Sequence, residues 1–161
     1  MSDKAENNLL PAQGRLLGFD YGTVRVGIAW CDEGQKIASP YETYTRRNEE
    51  LDQQFFVKLA SDTGAVGLVV GLPVHMSGDE SQKSMEARAF GNWLGEITQL
   101  PVTWVDERYS TAFARELLRS QNLTGKKAKG KLDKVAAQSI LTVYLESSGN
   151  SNTGASENLE D

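Results

Sequence analysis

The chain is poor in the side chains that build many catalytic centres. Cys31 is its only cysteine and His75 its only histidine among 161 residues. One thiol permits no internal disulfide and no thiolate metal cluster. One imidazole excludes multi-histidine zinc sites and leaves a Ser-His-Asp triad a single candidate base. A metal ion would therefore be held mainly by oxygen, which favours Mg²⁺ or Mn²⁺ over Zn²⁺. No apolar run is long enough to span a bilayer, and Met1 to Gln13 lacks the apolar core of a signal peptide. A cytoplasmic protein without a membrane partner is expected.

An excess of positive charge is missing too, since the formal net charge is −5. That sum argues against a nucleic-acid partner, but its distribution does not. Glu146, Glu157, Glu160 and Asp161 concentrate acid towards the C-terminus. Between positions 119 and 134, Arg119, Lys126, Lys127, Lys129, Lys131 and Lys134 face Asp133 alone. A local basic stretch matters more to a polyanion than the whole-chain sum. Its plainer meaning is a solvated loop.

What is present begins with Leu16 to Trp30, which has the pattern of a strand, a tight turn and a second strand. Asp20 ends the first strand, before the turn, and projects from the sheet's edge. It either caps the hairpin or awaits a cation or a phosphate. Gly22 and Gly27 flank Arg25 and leave room for a nucleic-acid backbone, with Arg25 as a phosphate contact. Ile37 to Thr45 forms a third strand, which Pro40 makes an edge or a bent strand.

The period then changes. Leu51, Phe55, Phe56 and Leu59 predict a helix over 49–61. Val66 to Val70 is a short apolar run, as in a strand buried on both faces, and Gly71-Leu72-Pro73 stops it. Asp79 and Gln82 have capping-box spacing for a second helix. Its packed face carries Met85, Ala89, Trp93 and Ile97, widened by Phe90 and Leu94. Pro101 to Val105 forms a fifth strand that runs into Asp106-Glu107-Arg108. Ser110 or Thr111 caps a third helix. Gly125 to Gly130 is a basic, glycine-punctuated loop, and a last helix starts near Leu132 with Asp133 in its first turn. Residues 1–14 form a flexible extension, 15–146 the domain, and 147–161 a disordered acidic tail.

This order predicts an α/β fold: a mixed five-stranded sheet with helices on both faces, three strands antiparallel and the rest alternating with helices. Ligands on such sheets gather at the carboxyl ends of parallel strands. Asp20 and Glu107 lie at such ends, and the last helix brings Asp133. Each acid alone has an ordinary explanation. Asp20 caps a hairpin, Glu107 pairs with Arg108, and Asp133 gains roughly 0.3–1 kcal/mol from the helix dipole. Crowded together they repel, and their desolvation is costly unless a cation neutralises them. Two divalent ions about 4 Å apart activate water and stabilise the leaving oxygen in phosphodiester cleavage. Arg25, Arg108 and the stretch with Lys126, Lys127, Lys129 and Lys131 then meet the substrate's phosphates.

The stretch Gly18-Phe19-Asp20-Tyr21-Gly22-Thr23-Val24-Arg25-Val26-Gly27-Ile28-Ala29 resembles the opening signature of the YqgF (RuvX-like) family. That family is described both as pre-16S rRNA nucleases and as Holliday junction resolvases. Further matches follow in the family's order: Val70-Gly71-Leu72-Pro73 with Met76-Ser77-Gly78, then Asp106-Glu107-Arg108-Tyr109-Ser110-Thr111, then Lys131 to Leu141 with Asp133 and Ala136-Ala137. Together they cover roughly Arg15 to Glu146.

The resemblance implies a ribonuclease H-like fold and a metal-dependent nuclease. Asp20, Glu107 and Asp133 match its acidic triad, as catalytic residues and as ligands of Mg²⁺ or Mn²⁺, while Ser110 and Thr111 join the substrate contacts. It implies a bacterial cytoplasmic protein whose partner is precursor rRNA. Two alternatives remain. A resolvase would act on branched DNA as a symmetric pair, so monomer and weak homodimer both stay open. A non-catalytic ribosome assembly factor would bind nucleic acid without cutting it. Asp20-Tyr21-Gly22-Thr23 also resembles the first phosphate loop of sugar kinases and actin-like ATPases, but no second phosphate loop follows.

Overall fold

The computed structural model describes residues 10–73, 81–107 and 125–160, the last with side chains over 130–148. Five strands form one sheet: β1 Leu16–Asp20, β2 Arg25–Cys31, β3 Ala38–Thr45, β4 Gly67–Leu72 and β5 Val102–Asp106. Helices α1 Glu49–Thr63, α2 Gln82–Thr98 and α3 Gly125–Glu160 accompany them among the described residues. The strand order is β3-β2-β1-β4-β5. β1 to β3 pair antiparallel, whereas β4 and β5 join β1 in parallel. This is the expected mixed sheet. Pro40 lies on the edge strand β3, where the β2–β3 register shifts between Ile28 and Ala29. A residue without an N–H is tolerated at such a place.

Alternation along the strands splits the interior into two cores. Leu17, Phe19, Val26, Ile28, Leu68 and Val70 point to one face and pack with Phe56 and Leu59 of α1 and Phe90 and Leu94 of α2. Leu16, Ala29, Cys31, Val69 and Val105 point to the other, under Ala137, Ile140 and Leu141 of α3. Phe19 and Phe56, both fully buried, meet edge to face at 5.9 Å. Burial of each contributes about 1.5–3 kcal/mol. β4, central and covered on both sides, is buried at all six positions.

Three local details differ from the pattern-based expectation. The cap of α2 is Ser81, in a reciprocal capping box with Ser84; Asp79 lies outside the described residues. The packed face of α2 is Ser84, Ala87, Phe90, Gly91 and Leu94, while Met85 is 52% exposed and Ala89 is exposed. Small side chains, rather than the longest apolar stripe, set how closely this helix approaches the sheet. Finally, the helical backbone of α3 begins at Gly125 and continues to Glu160. It includes the stretch expected as a basic loop, where lysine and alanine favour helix, and most of the region expected as a disordered tail. The predicted helix after Ser110 lies outside the described residues. Among the described residues, no helix is long and apolar enough to cross a membrane.

Candidate active site at the carboxyl rim

The α3 face of the sheet carries Asp20. Strand alternation sends Phe19 to the aromatic core and Asp20 to the opposite side, in register with Gly27 of β2. Gly27 is the seat of α3. A Cβ there would run into the backbone carbonyl of Asp133. Its absence lets the helix turn bearing Asp133 lie directly on β2, beside Asp20. Gly71 plays the same part for Glu107: a Cβ at Gly71 would stand 2.7 Å from Glu107 Oε2. β4 adjoins β1, with Val70 paired to Phe19. Glu107 therefore crosses the end of β4 and makes a side-chain hydrogen bond with Asp20. The three acids predicted from separate strand and helix ends converge on one rim.

Their convergence has an electrical signature. Burial pushes the Asp20 carboxyl well above the usual carboxylate range. The charge of Glu107, the hydrogen bond with it and the charge of Asp133 push the same way, and Lys83 opposes them. Like acids forced together at a buried rim disfavour the charged form of the more buried one.

Asp133 is held differently. Arg25 Nε donates to Asp133 Oδ2 at 2.6 Å, with the two side chains 29% and 18% exposed. The Thr43 hydroxyl donates to the Gly130 carbonyl, and Gln138 Nε2 donates to the Ala38 carbonyl at 3.0 Å. These ties fasten α3 across β2 and β3. Because α3 starts at Gly125, Asp133 lies more than two turns inside it. That is beyond the first turn, where the helix dipole acts on an acid.

One expectation at the hairpin, room for a nucleic-acid backbone at Gly22 and Gly27, is corrected. Gly27 is occupied by α3 and offers no room for a nucleic-acid backbone. Gly22 is a requirement of the turn itself, since a Cβ there would strike the carbonyl of Arg25. Arg25, expected on a phosphate, is bound to Asp133.

Arg108, Ser110 and Thr111 lie outside the described residues, as does His75. Lys126, Lys127 and Lys129 belong to the helical backbone of α3, with their side chains outside the description; Lys131 is exposed on the same helix. Residue patterns did not single out Lys83 or Thr43. Lys83 sits in the first turn of α2, where it passes for an ordinary surface lysine. Thr43 is the cross-strand partner of Gly27, a signal available only once the register is known.

Among the described residues, no three acidic, histidine or cysteine side chains close on one point as a metal site. The donor chemistry nonetheless fits a hard divalent cation. Three carboxyl groups share one neighbourhood, two of them hydrogen-bonded to each other and one paired with a guanidinium.

Solved structures share the fold. A Thermus thermophilus RuvC in complex with Holliday junction substrate superposes with a TM-score of 0.54 at 14% identity, covering 83% of this chain and 94% of that one. The yeast mitochondrial Holliday junction resolvase Ydc2 gives 0.50 at 11% identity, covering 87% and 80%. The architecture is ribonuclease H-like.

The RuvX family model, described as Holliday junction resolvase, matches residues 14–147. A Rhodopirellula baltica protein is 46% identical over 136 residues, which are 84% of this chain and 79% of that protein. A Neisseria gonorrhoeae protein is 40% identical over 134 residues, 83% and 89% of the two chains. Both carry the name "Putative pre-16S rRNA nuclease". The chain belongs to the RuvX family.

Proposed function

We propose that this chain is a divalent-metal-dependent nuclease of the cytoplasm that processes the 5′ end of pre-16S rRNA. The observation that carries the reading is the convergence of Asp20, Glu107 and Asp133 from three distant segments, with the Asp20 carboxyl pushed up by its neighbours. These three would hold Mg²⁺ or Mn²⁺. When bound, such an ion activates water and stabilises the leaving oxygen at a phosphodiester. Asp20 and Glu107 would supply two of the ligands, and Asp133 would complete the set. Lys83 and Lys131 attract the phosphates beside the rim. Arg108, Ser110, Thr111, Lys126, Lys127 and Lys129 extend that contact along the substrate. Residues 15–146 form the working domain. The names of the relatives and the absence of any need for histidine or cysteine in this chemistry support the reading.

A second reading, resolution of branched DNA, is favoured by the description of the family model. It requires a symmetric pair of subunits to cut two strands.

One assay separates the possibilities. Wild type and Asp20→Asn are offered a precursor 16S rRNA 5′ end and a four-way DNA junction, each with Mg²⁺ and with Mn²⁺. Wild type is expected to cut the RNA, and the variant to lose about 10²–10³-fold of that rate. Cleavage by Asp20→Asn at the wild-type rate would sink the site assignment. Preference for the junction would favour the resolvase, and binding without cleavage would favour an assembly factor.

A further inference from the structure

Arg25 is well placed to meet substrate and yet engages an acid of the site. Its Nε–Oδ2 distance of 2.6 Å to Asp133 is that of a strong charge-assisted hydrogen bond. We propose that Arg25 is the resident counter-ion of the metal-free site: it parks Asp133 on its guanidinium until a divalent cation takes that carboxylate over. This rests on the reading of Asp20, Glu107 and Asp133 as the metal ligands.

Three observations support it. First, the three acids are neighbours but do not close on one point, and Asp133 is the member tied elsewhere. Second, both backbones are fixed. Arg25 pairs with Thr45 at the start of β2, and the turn before it is held by Arg46, whose N–H donates to the Val24 carbonyl at 2.8 Å and whose Nη1 donates to the Gly22 carbonyl at 3.3 Å. The Asp133 backbone lies on Gly27. An exchange of partners is then a change of side-chain rotamers alone, the least costly motion available at a packed rim. Third, the pair joins opposite charges through a single short contact, so a divalent cation and the guanidinium compete for the same carboxylate.

The exchange leaves Arg25 beside the rim with its charge uncompensated, and a phosphate oxygen is the partner its planar fork suits. Substrate would thereby hold Arg25 away from Asp133 and favour metal loading. By reciprocity, metal would favour substrate.

The test is Mn²⁺ binding by titration calorimetry on the full chain, comparing wild type with Arg25→Gln, Arg25→Lys and Asp20→Asn, and following each fold by circular dichroism. Arg25→Gln is expected to bind Mn²⁺ about tenfold tighter than wild type, within the usual span of a coupling between two sites. Arg25→Lys, which keeps the charge, should stay close to wild type, and Asp20→Asn should bind far more weakly. Arg25→Met, uncharged and long, repeats the measurement if the glutamine variant fails to fold. Unchanged or weaker binding by the uncharged variants, with wild type still binding and Asp20→Asn not, overturns the counter-ion role and leaves the metal site intact. No Mn²⁺ binding by wild type and uncharged variants alike overturns both.

Discussion

Asp20 and Asp52 are drawn into the protein on opposite faces of the same sheet, and their surroundings treat them in opposite ways. Asp52, in the first turn of α1, is 1% exposed. It accepts hydrogen bonds from the Tyr44 hydroxyl at 2.7 Å, Arg46 Nε at 3.0 Å and the Arg47 N–H at 2.9 Å. Burial is the strongest single influence on it and pushes its pKa up. The three donors and the charge of Arg46 together outweigh burial, so the net shift is downward. The same burial and bond raise Tyr44 to about 12. Asp20 meets two acids instead, with Lys83 the opposing charge, and its pKa moves up. Burial alone therefore does not distinguish a structural acid from a working one. The inventory of neighbours around it does: Asp52 is met by three donors, while Asp20 is met by two acids and the charge of one lysine.

The largest expected effect is on the satisfied side. Asp52→Ala strips three donors of their acceptor and should lower stability by about 3–5 kcal/mol, read by urea unfolding. Cleavage per folded molecule should be unchanged; lost catalysis in a fully folded sample would break the division of labour. Next comes Gly27→Ala. The added methyl meets the Asp133 backbone, so α3 must lift. Overpacking of this kind costs about 1–3 kcal/mol, and displacing one acid should lower the cleavage rate by about 10²-fold. A silent Gly27→Ala would show that Asp133 needs no seat on β2.

Smaller, and opposite in sign, is Asp20→Asn in the absence of divalent ions. The folded pKa of Asp20 lies above its unfolded value, near 3.8. Its stabilising share is present below that value and is lost as pH rises through the folded pKa. Asparagine removes this penalty, so the metal-free variant should gain about 1 kcal/mol at pH 7, or roughly 2–4 °C in melting midpoint. A loss of stability would place Asp20 with Asp52.

The smallest effect is a pH slope. Asp52 has a lowered folded pKa, so its contribution is present above the unfolded value near 3.8 and fades as pH falls towards the folded one. Unfolding midpoints of Asp52→Asn should therefore decline less steeply than wild type between about pH 5 and 3.

Much of this arrangement is legible in residue order. The change from alternating to helical spacing marks the switch from meander to crossovers. Pro40 marks the edge strand, and the apolar run Gly67–Leu72 marks the strand covered on both sides. Asp20 and Glu107 stand out because each ends a strand on the same rim. What pattern alone misses depends on contacts made across the fold. Leu51 is 36% exposed while its neighbour Asp52 is buried, because the donors that tame Asp52 come from β3 and the turn after it. The packed face of α2 escapes notice because Ser84, Ala87 and Gly91 are chosen for size and carry little hydrophobic signal. The tie between Arg25 and Asp133 escapes notice because it exists only once α3 is docked on β2.

The seat on Gly27 also sets a clock. β1 and the Glu107 crossing are made before the helix that lies on Gly27 and brings Asp133. A chain made from its N-terminus can fold its sheet as it emerges. On the proposed assignment, it gains a complete set of acids only when that final helix has left the ribosome. Cutting power is thus withheld from the partly made protein until the helix that carries Asp133 has docked on β2.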